Sequence, residues 1–290
     1  MTDKQARDSK TVAAPAGKLT GKRALSRSGP TSFTPRVFAV ANLKGGVGKT
    51  TTALNLAAAW AELRRKVLLI DLDPSATLTR LLGIPVDEDD PDVPSAYTLL
   101  RPANRSTLAE VIQQTPLGLP IVPSTQDLDK IPFLLHDDPA WGKTLARALG
   151  SSLPYEIVVL DCPPESIILT YMALGAATDA VVVLQPEGPA VMGAVQMNRR
   201  IDAIRESSPA LVRHRLVVNM DAPSQRLAQG YVAGLTREFP GLVCATVIPR
   251  RVNVAEAMSA GLPVTAYAPR SPAARAYRKL AAELLNGGAA

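Results

Sequence analysis

The sequence predicts an α/β fold in which a mostly parallel, twisted sheet carries helices on both faces. Three observations lead there. Short β-branched apolar runs alternate along the chain with longer segments of helical period, as a parallel sheet with crossover helices requires. The runs are apolar throughout instead of alternating, as strands buried on both faces are. The first run leads through the glycine-rich turn Lys44-Gly45-Gly46-Val47-Gly48-Lys49-Thr50 directly into a helical segment, the strand–loop–helix context of a phosphate-binding loop.

With 290 residues, 47% of them apolar, the chain can bury a complete core. Residues 1–35 are rich in Lys, Ser, Thr, Pro and Gly and poor in large apolar side chains. Such a segment cannot offset the entropy of ordering, so a disordered basic tail is expected, followed by one α/β domain over residues 36–290 that carries the phosphate-binding loop. VFAVAN (37–42) is the first predicted strand, TTALNLAAAWAELR the helix after it, and KVLLIDL (66–72) the second strand. VDEDDPDVP (86–94) is acidic and proline-broken, without periodicity, and is expected to be a solvated loop. LPIVP (119–123), EIVVLD (156–161), AVVVLQ (180–185), RLVVNM (215–220) and CATVIP (244–249) continue the series of buried strands. The last helix is SPAARAYRKLAAELL, with Ser271 as candidate N-cap and Pro272 at the first helical position, where its missing N–H costs nothing.

No apolar run approaches the ~18–20 residues that cross a bilayer, and the lysine-rich start lacks the apolar centre of a secretory signal. A cytoplasmic location and no membrane partner are expected. Cys162 and Cys244 have neither C-x-x-C spacing nor a disulfide framework around them; in apolar segments they read as buried thiols. The formal charge of +6 is unevenly spread, with +6 over residues 1–36, −7 over residues 37–194 and +7 over residues 195–290. Two basic stretches around an acidic middle suit an anionic polymer or surface as partner.

The loop itself departs from the standard G-x-x-x-x-G-K-[ST] pattern. Leu43 stands at its first position, and a second lysine, Lys44, precedes the glycines. Gly45, Gly46 and Gly48 allow backbone N–H groups, that of Val47 included, to turn toward phosphate oxygens, and the helix that begins near Lys49, Thr50 and Thr51 adds its positive end. Lys49 is the candidate for the β- and γ-phosphates and Thr50 for Mg²⁺. Asp161 closes one apolar run, and Asp71 and Asp73, two residues apart, close another. In a parallel sheet these carboxyl ends share one edge, where phosphates and carboxylates meet around a cation. The expected cofactors are ATP and Mg²⁺, with Thr50, Asp71 and Asp161 as metal ligands.

KGGVGKTT resembles the deviant Walker A motif of the ParA/MinD family of P-loop ATPases, and the resemblance extends over about residues 36–286 through VLLIDLDP, LPIVPSTQDL, YEIVVLDCPP and VIPRRVNVAEAMSAGLPVTAYAPRSPAARAYRKLAAEL. It implies a deviant Walker P-loop fold and a homodimer when ATP is bound, with Lys44 reaching the nucleotide of the opposite subunit. By the same match Asp73 positions the attacking water, and Asn219 and Pro249 border the adenine. Ser75 and Glu165 stand where family members commonly carry Gln and a small residue. Weak intrinsic, Mg-dependent hydrolysis is expected.

Within the family the chain is most similar to the ParA type. That implies binding of double-stranded DNA without sequence preference, a ParB-like centromere-binding protein as stimulating partner, nucleoid association, and segregation of a chromosome or plasmid. The DNA candidates are Arg199, Arg200, Arg226, Arg250 and Arg251, with Arg205, Arg213 and Arg215 nearby in sequence; their contacts would be to phosphates. Alternatives are an orphan relative that positions a protein cargo on the nucleoid, and a MinD-like nucleotide switch. A MinD-like membrane helix would end in bulky apolar and basic residues, whereas this chain ends LAAELLNGGAA.

Overall fold

The computed structural model describes residues 32–103, 105–164, 166–188, 190–222 and 226–287, without the side chains of Arg226 and Leu227. In chain order the first half comprises β1 (Arg36–Ala41), α1 (Lys49–Glu62), β2 (Val67–Asp71), α2 (Thr77–Leu81), α3 (Ala96–Leu100), α4 (Leu108–Val111), β3 (Gln113–Gln114), β4 (Pro120–Val122), a 3₁₀ turn (Gln126–Lys130) and α5 (Ile131–Leu134). The second half comprises a 3₁₀ turn (Trp141–Lys143), α6 (Thr144–Leu149), β5 (Ile157–Asp161), α7 (Ile167–Ala176), β6 (Asp179–Leu184), α8 (Ala190–Ser207), β7 (Arg213–Val218), α9 (Arg226–Glu238), α10 (Val252–Ser259), α11 (Val264–Tyr267) and α12 (Pro272–Leu285). The strands form one sheet in the order β3-β4-β2-β5-β1-β6-β7, parallel except for the β3–β4 pair.

Two cores lie on opposite faces of the sheet, and β1 supplies both by alternation. Val37, Ala39 and Ala41 enter one, Phe38 and Val40 the other. The helix expected after the first strand is α1, and it is buried over most of its length because α12 covers it from outside. Trp60 packs on Phe38 with ring centroids 4.5 Å apart, and its Nε1 donates to Ala281 O at 2.9 Å. Ser271 caps α12 by accepting from Ala274 N–H at 3.1 Å, with Pro272 at the first position, as the sequence predicts. Among the described residues no helix is long and apolar enough to cross a membrane.

Six of the seven predicted strands form. The seventh, CATVIP (244–249), does not. Its chain touches β7 at two separate points, Cys244 N–H donating to Leu216 O at 2.8 Å and Ile248 N–H to Val218 O at 2.9 Å. Between them the Ala245 and Thr246 N–H groups turn to the Glu283 carboxylate on α12, at 2.7 and 3.0 Å. A side chain thus captures the donors that a ladder needs. β3, too short and polar for the pattern, was not anticipated. Residues 86–94 form turns, as expected.

Of the expected tail, residues 1–31 lie outside the described residues, but the boundary at Arg36 is corrected. Phe33 already pairs with Leu153, donating at 2.7 Å and accepting at 2.9 Å. Behind it Arg36 begins β1 and, with Arg213, closes on the buried carboxylate of Asp179. Asp179→Ala leaves two cations facing each other. It is expected to cost about 2–3 kcal/mol in urea unfolding, below the ~3–5 kcal/mol of a fully buried pair, because the side chains of Arg36 and Arg213 are 23% and 42% exposed.

Candidate nucleotide-binding site

The parallel strands all end at one edge, so the polar residues that follow them converge there. Asn42, after β1, is buried; its Nδ2 donates to Val183 O at 2.6 Å and its Oδ1 accepts from Lys44 N–H at 3.0 Å. Gln185, after β6, donates to Gly46 O at 3.1 Å, and Asn219, after β7, donates to Val47 O at 2.8 Å. The loop between β1 and α1 is thereby suspended from three strand ends. Gly48 caps α1 at φ 88°, and a Cβ added there would collide with Asn219 Nδ2, so glycine is required both for conformation and for space. No side chain caps the helix. Its first N–H groups and positive dipole end stay available to an anion.

The two lysines of the loop have different surroundings. Lys49 is 6% exposed, and its Nζ donates to Lys44 O at 3.2 Å. Burial lowers its pKa, with Asp161 the strongest opposing influence. Lys44 is exposed and pairs with Glu187 at 2.6 Å, the two side chains being 47% and 54% exposed. An exposed pair contributes ~0–1 kcal/mol. Lys44 is therefore easily released.

Asp71 and Asp161 are register partners at the ends of β2 and β5, both fully buried. Asp71 accepts from Thr79 N–H at 2.9 Å, from the Thr79 hydroxyl at 2.7 Å and from Asp73 N–H at 3.1 Å. Burial raises its pKa to about 6 against these hydrogen bonds. Neither oxygen of Asp161 is hydrogen-bonded. Burial first, and the Asp71 charge second, push its pKa well above the ordinary carboxylate value, while the Thr50 hydroxyl is near enough to favour ionisation without completing a bond. An orphaned carboxylate beside a hydroxyl fits a hydrated divalent cation. Thr50 and Asp161 suit that role, whereas Asp71 holds the segment between β2 and α2. Among the described residues no three His, Cys, Asp or Glu gather closely enough to hold a metal by themselves, so phosphate and water must complete any such shell.

Asp73 borders an open cleft of about 450 Å³, lined also by Ser75, Gln126, Asp129, Pro163 and Ser166. Its Oδ1 accepts from Ser75 N–H at 2.9 Å, and the Ser75 hydroxyl bonds that of Thr77 at 3.0 Å. Glu165 lies outside the described residues. A second, more apolar pocket of about 420 Å³ adjoins the start of α1, bounded by Thr51, Asn219, Met220, Ile248, Pro249 and Met258, with Arg250 and Arg251 on its rim. Asn219 and Pro249 come together there.

The basic candidates divide. Arg199, Arg250 and Arg251 are exposed. Arg200 is half-buried with Nη1 enclosed, and Arg226 opens α9 with its side chain outside the described residues. Arg205, Arg213 and Arg215, the last two within β7, are engaged inside the fold. Arg205 donates to Leu211 O at 3.0 Å and to His214 Nδ1 at 2.9 Å, Arg213 to Asp179, and Arg215 to Gly287 O. Burial, followed by the Arg205 charge, lowers the His214 pKa to about 4, matching a neutral ring that donates from Nε2 to Asn198 Oδ1 at 2.8 Å. Asn42, Thr79, Gln185 and Glu187 escaped the sequence reading, although three of them follow apolar runs as Asp71 and Asp161 do. Both cysteines are buried free thiols, as expected.

Similarity to known proteins points the same way. The AAA domain family (AAA_31) matches residues 35–214. The chromosome-partitioning ATPase Soj of Thermus thermophilus is 38% identical over 251 residues, 86% of this chain and 95% of that protein. The chromosome partitioning protein ParA of Caulobacter vibrioides is 36% identical over 255 residues, 87% of this chain and 94% of its own. A solved Mycobacterium smegmatis structure, described as cobyrinic acid a,c-diamide synthase with bound ADP and magnesium, matches with TM-score 0.73 at 31% identity, covering 87% of this chain and 94% of the other.

The unpartnered Asp161 carboxylate costs stability until a cation arrives. Because the folded state binds that proton more tightly than the unfolded state, the cost exists above the raised pKa and fades as pH falls through it. Asp161→Asn is therefore expected to raise the Tm of the nucleotide-free protein at pH 8 by about 2–4 °C, the shift of ~1 kcal/mol in a domain of this size. The gain should shrink toward pH 5, and the variant should lose any Mg²⁺-dependent stabilisation by nucleotide in a thermal melt.

Proposed function

The chain belongs to the ParA/MinD family of P-loop partition ATPases, and on that premise we propose that ATP turns it into a sandwich dimer that holds double-stranded DNA without sequence preference until stimulated hydrolysis releases it. The carrying observation is the contrast between two lysines of one loop: Lys49 buried against the loop's own carbonyl, Lys44 exposed and held by a weak surface pair. One serves its own nucleotide; the other is free to serve a partner's.

In this reading the N–H groups of the loop and the α1 terminus bind the phosphates of ATP, and Lys49 exchanges Lys44 O for phosphate oxygens. Thr50 and Asp161 would hold Mg²⁺, which would supply neutralisation of charge developing on the phosphate oxygens. Asp73 orients the attacking water from the cleft mouth, where the Ser75 N–H fixes its carboxylate. The apolar pocket beside Asn219 and Pro249 takes the base, which links base binding to Arg250 and Arg251 on its rim. A ParB-like centromere-binding protein would then time release from the nucleoid in the cytoplasm, segregating a chromosome or plasmid.

Lys49→Ala is expected to abolish ATP binding in calorimetry. Lys44→Ala should bind ATP within about threefold of the parent, a loss below ~0.7 kcal/mol, yet stay monomeric in size-exclusion chromatography with ATP and Mg²⁺; equal loss of affinity in both would refute the trans role. Asp73→Ala should accumulate as an ATP-bound dimer. In that background Arg250→Glu with Arg251→Glu should remove ATP-dependent DNA retention, each lost phosphate contact reducing the slope of log K against log salt by about 0.9.

A further inference from the structure

On α5, Phe133 is 80% exposed, the most of any large apolar side chain among the described residues, and Leu134 beside it is 48% exposed. The surroundings are acidic. Asp87, Glu88, Asp89, Asp90 and Asp92 are all exposed with no basic residue among them, and Gln126 N–H donates to Glu88 Oε2 at 3.0 Å, which ties that loop to the turn before α5. Asp127, Asp129, Asp137 and Asp138 flank α5, with Lys130 the one Lys or Arg between them. Ion pairs with Arg101 and Lys130 engage Asp92 and Asp127, and the face as a whole remains negative.

We propose that residues 1–31 of this same chain dock on this face. They contain seven Lys/Arg against two Asp, and their stretch KLTGKRALSR (18–27) sets Leu19 and Leu25 among Lys18, Lys22, Arg23 and Arg27. Two apolar side chains interleaved with four cations match two exposed apolar side chains on a segment flanked by carboxylates. Reach is no obstacle. The segment joins the fold next to Phe33, bridged to Leu153 at the amino edge of the sheet, and 31 residues can extend ~100 Å at ~3.3 Å each, whereas strands of five or six residues separate the two edges by roughly 20 Å. Tethering sets an effective concentration on the order of millimolar, so individually weak contacts suffice.

DNA phosphates would compete for the same cations. That consequence rests on the proposed DNA binding; the docking does not.

The test is zero-length carbodiimide cross-linking of the nucleotide-free full chain at about 50 mM salt, where exposed charges are weakly screened, on a mixed light and heavy isotope sample. Links from Lys18 and Lys22 to carboxylates of 87–92 and 127–138 are expected within one chain. They should vanish at about 0.5 M salt, and the links to the unaltered carboxylates of 127–138 should fall severalfold when Asp87→Asn, Glu88→Gln, Asp89→Asn and Asp90→Asn are combined with Phe133→Ser. Amides of residues 126–134 should exchange faster in a chain lacking residues 1–31. Links scattered over carboxylates elsewhere, links confined to pairs of chains, or unchanged exchange after removal would overturn the proposal. Added duplex DNA should erase the links; their persistence supports the docking and counts against a role of this segment on DNA.

Discussion

A carboxylate buried without a hydrogen-bond partner is the constraint around which this fold is arranged. Asp161 ends β5 between two other strands, β2 and β1, buried at the ends where they flank it, and neither of its oxygens is hydrogen-bonded. Leaving a charge in such a place costs several kcal/mol unless a cation or proton arrives. Its neighbour Asp71 offsets part of the same cost by taking three hydrogen bonds from the segment that follows β2, although burial still raises its pKa to about 6. The asymmetry divides their work: one carboxylate fixes the chain, and the other waits for a ligand. Lys49, partly relieving Asp161 while itself desolvated, completes a site poised for phosphate and a divalent cation.

The loop that delivers Lys49 owes its shape to strand ends more than to its own glycines. Asn42, Gln185 and Asn219 follow three neighbouring strands and each holds a different part of the loop by one backbone bond. Asn219 also lines the apolar pocket whose rim carries Arg250 and Arg251. Any rearrangement of the loop on binding phosphate is therefore mechanically connected to that rim through a single side chain. Lys44 is outside this suspension except through its backbone N–H, which leaves its ammonium exposed and weakly paired.

The architecture was legible because parallel strands buried on both faces leave continuous apolar runs, and six of seven such runs became strands. CATVIP failed because the competitor for its N–H groups, Glu283, lies 37 residues beyond Thr246, a distance at which no local pattern operates. The phosphate loop was legible because its backbone demands glycine at fixed spacing. What the sequence hid was partnership: Asp71 and Asp161 look alike at the ends of apolar runs, and only Thr79, brought back by the turn into α2, separates them. Likewise Arg205, Arg213 and Arg215 look like surface charge until Asp179, His214 and backbone carbonyls are found against them.

The sheet order also explains why the charge imbalance along the chain becomes an imbalance in space. The acidic loops at 86–92 and 126–138 flank β4 in the sequence, near one edge of the sheet, while Arg250 and Arg251 follow a segment bonded to β7 at the other edge. Had the strands been ordered by sequence, β5 would separate β4 from β6 without the crossover that places β2, β5 and β1 between them. The observed order instead interposes three buried strands, so the two charge clusters lie more than a Debye length of ~8 Å apart at physiological salt, each strand step adding ~4.8 Å. They do not neutralise one another. In the proposed binding of DNA, the polyanion would be attracted to one edge and repelled from the other, which would orient the protein before any specific contact forms.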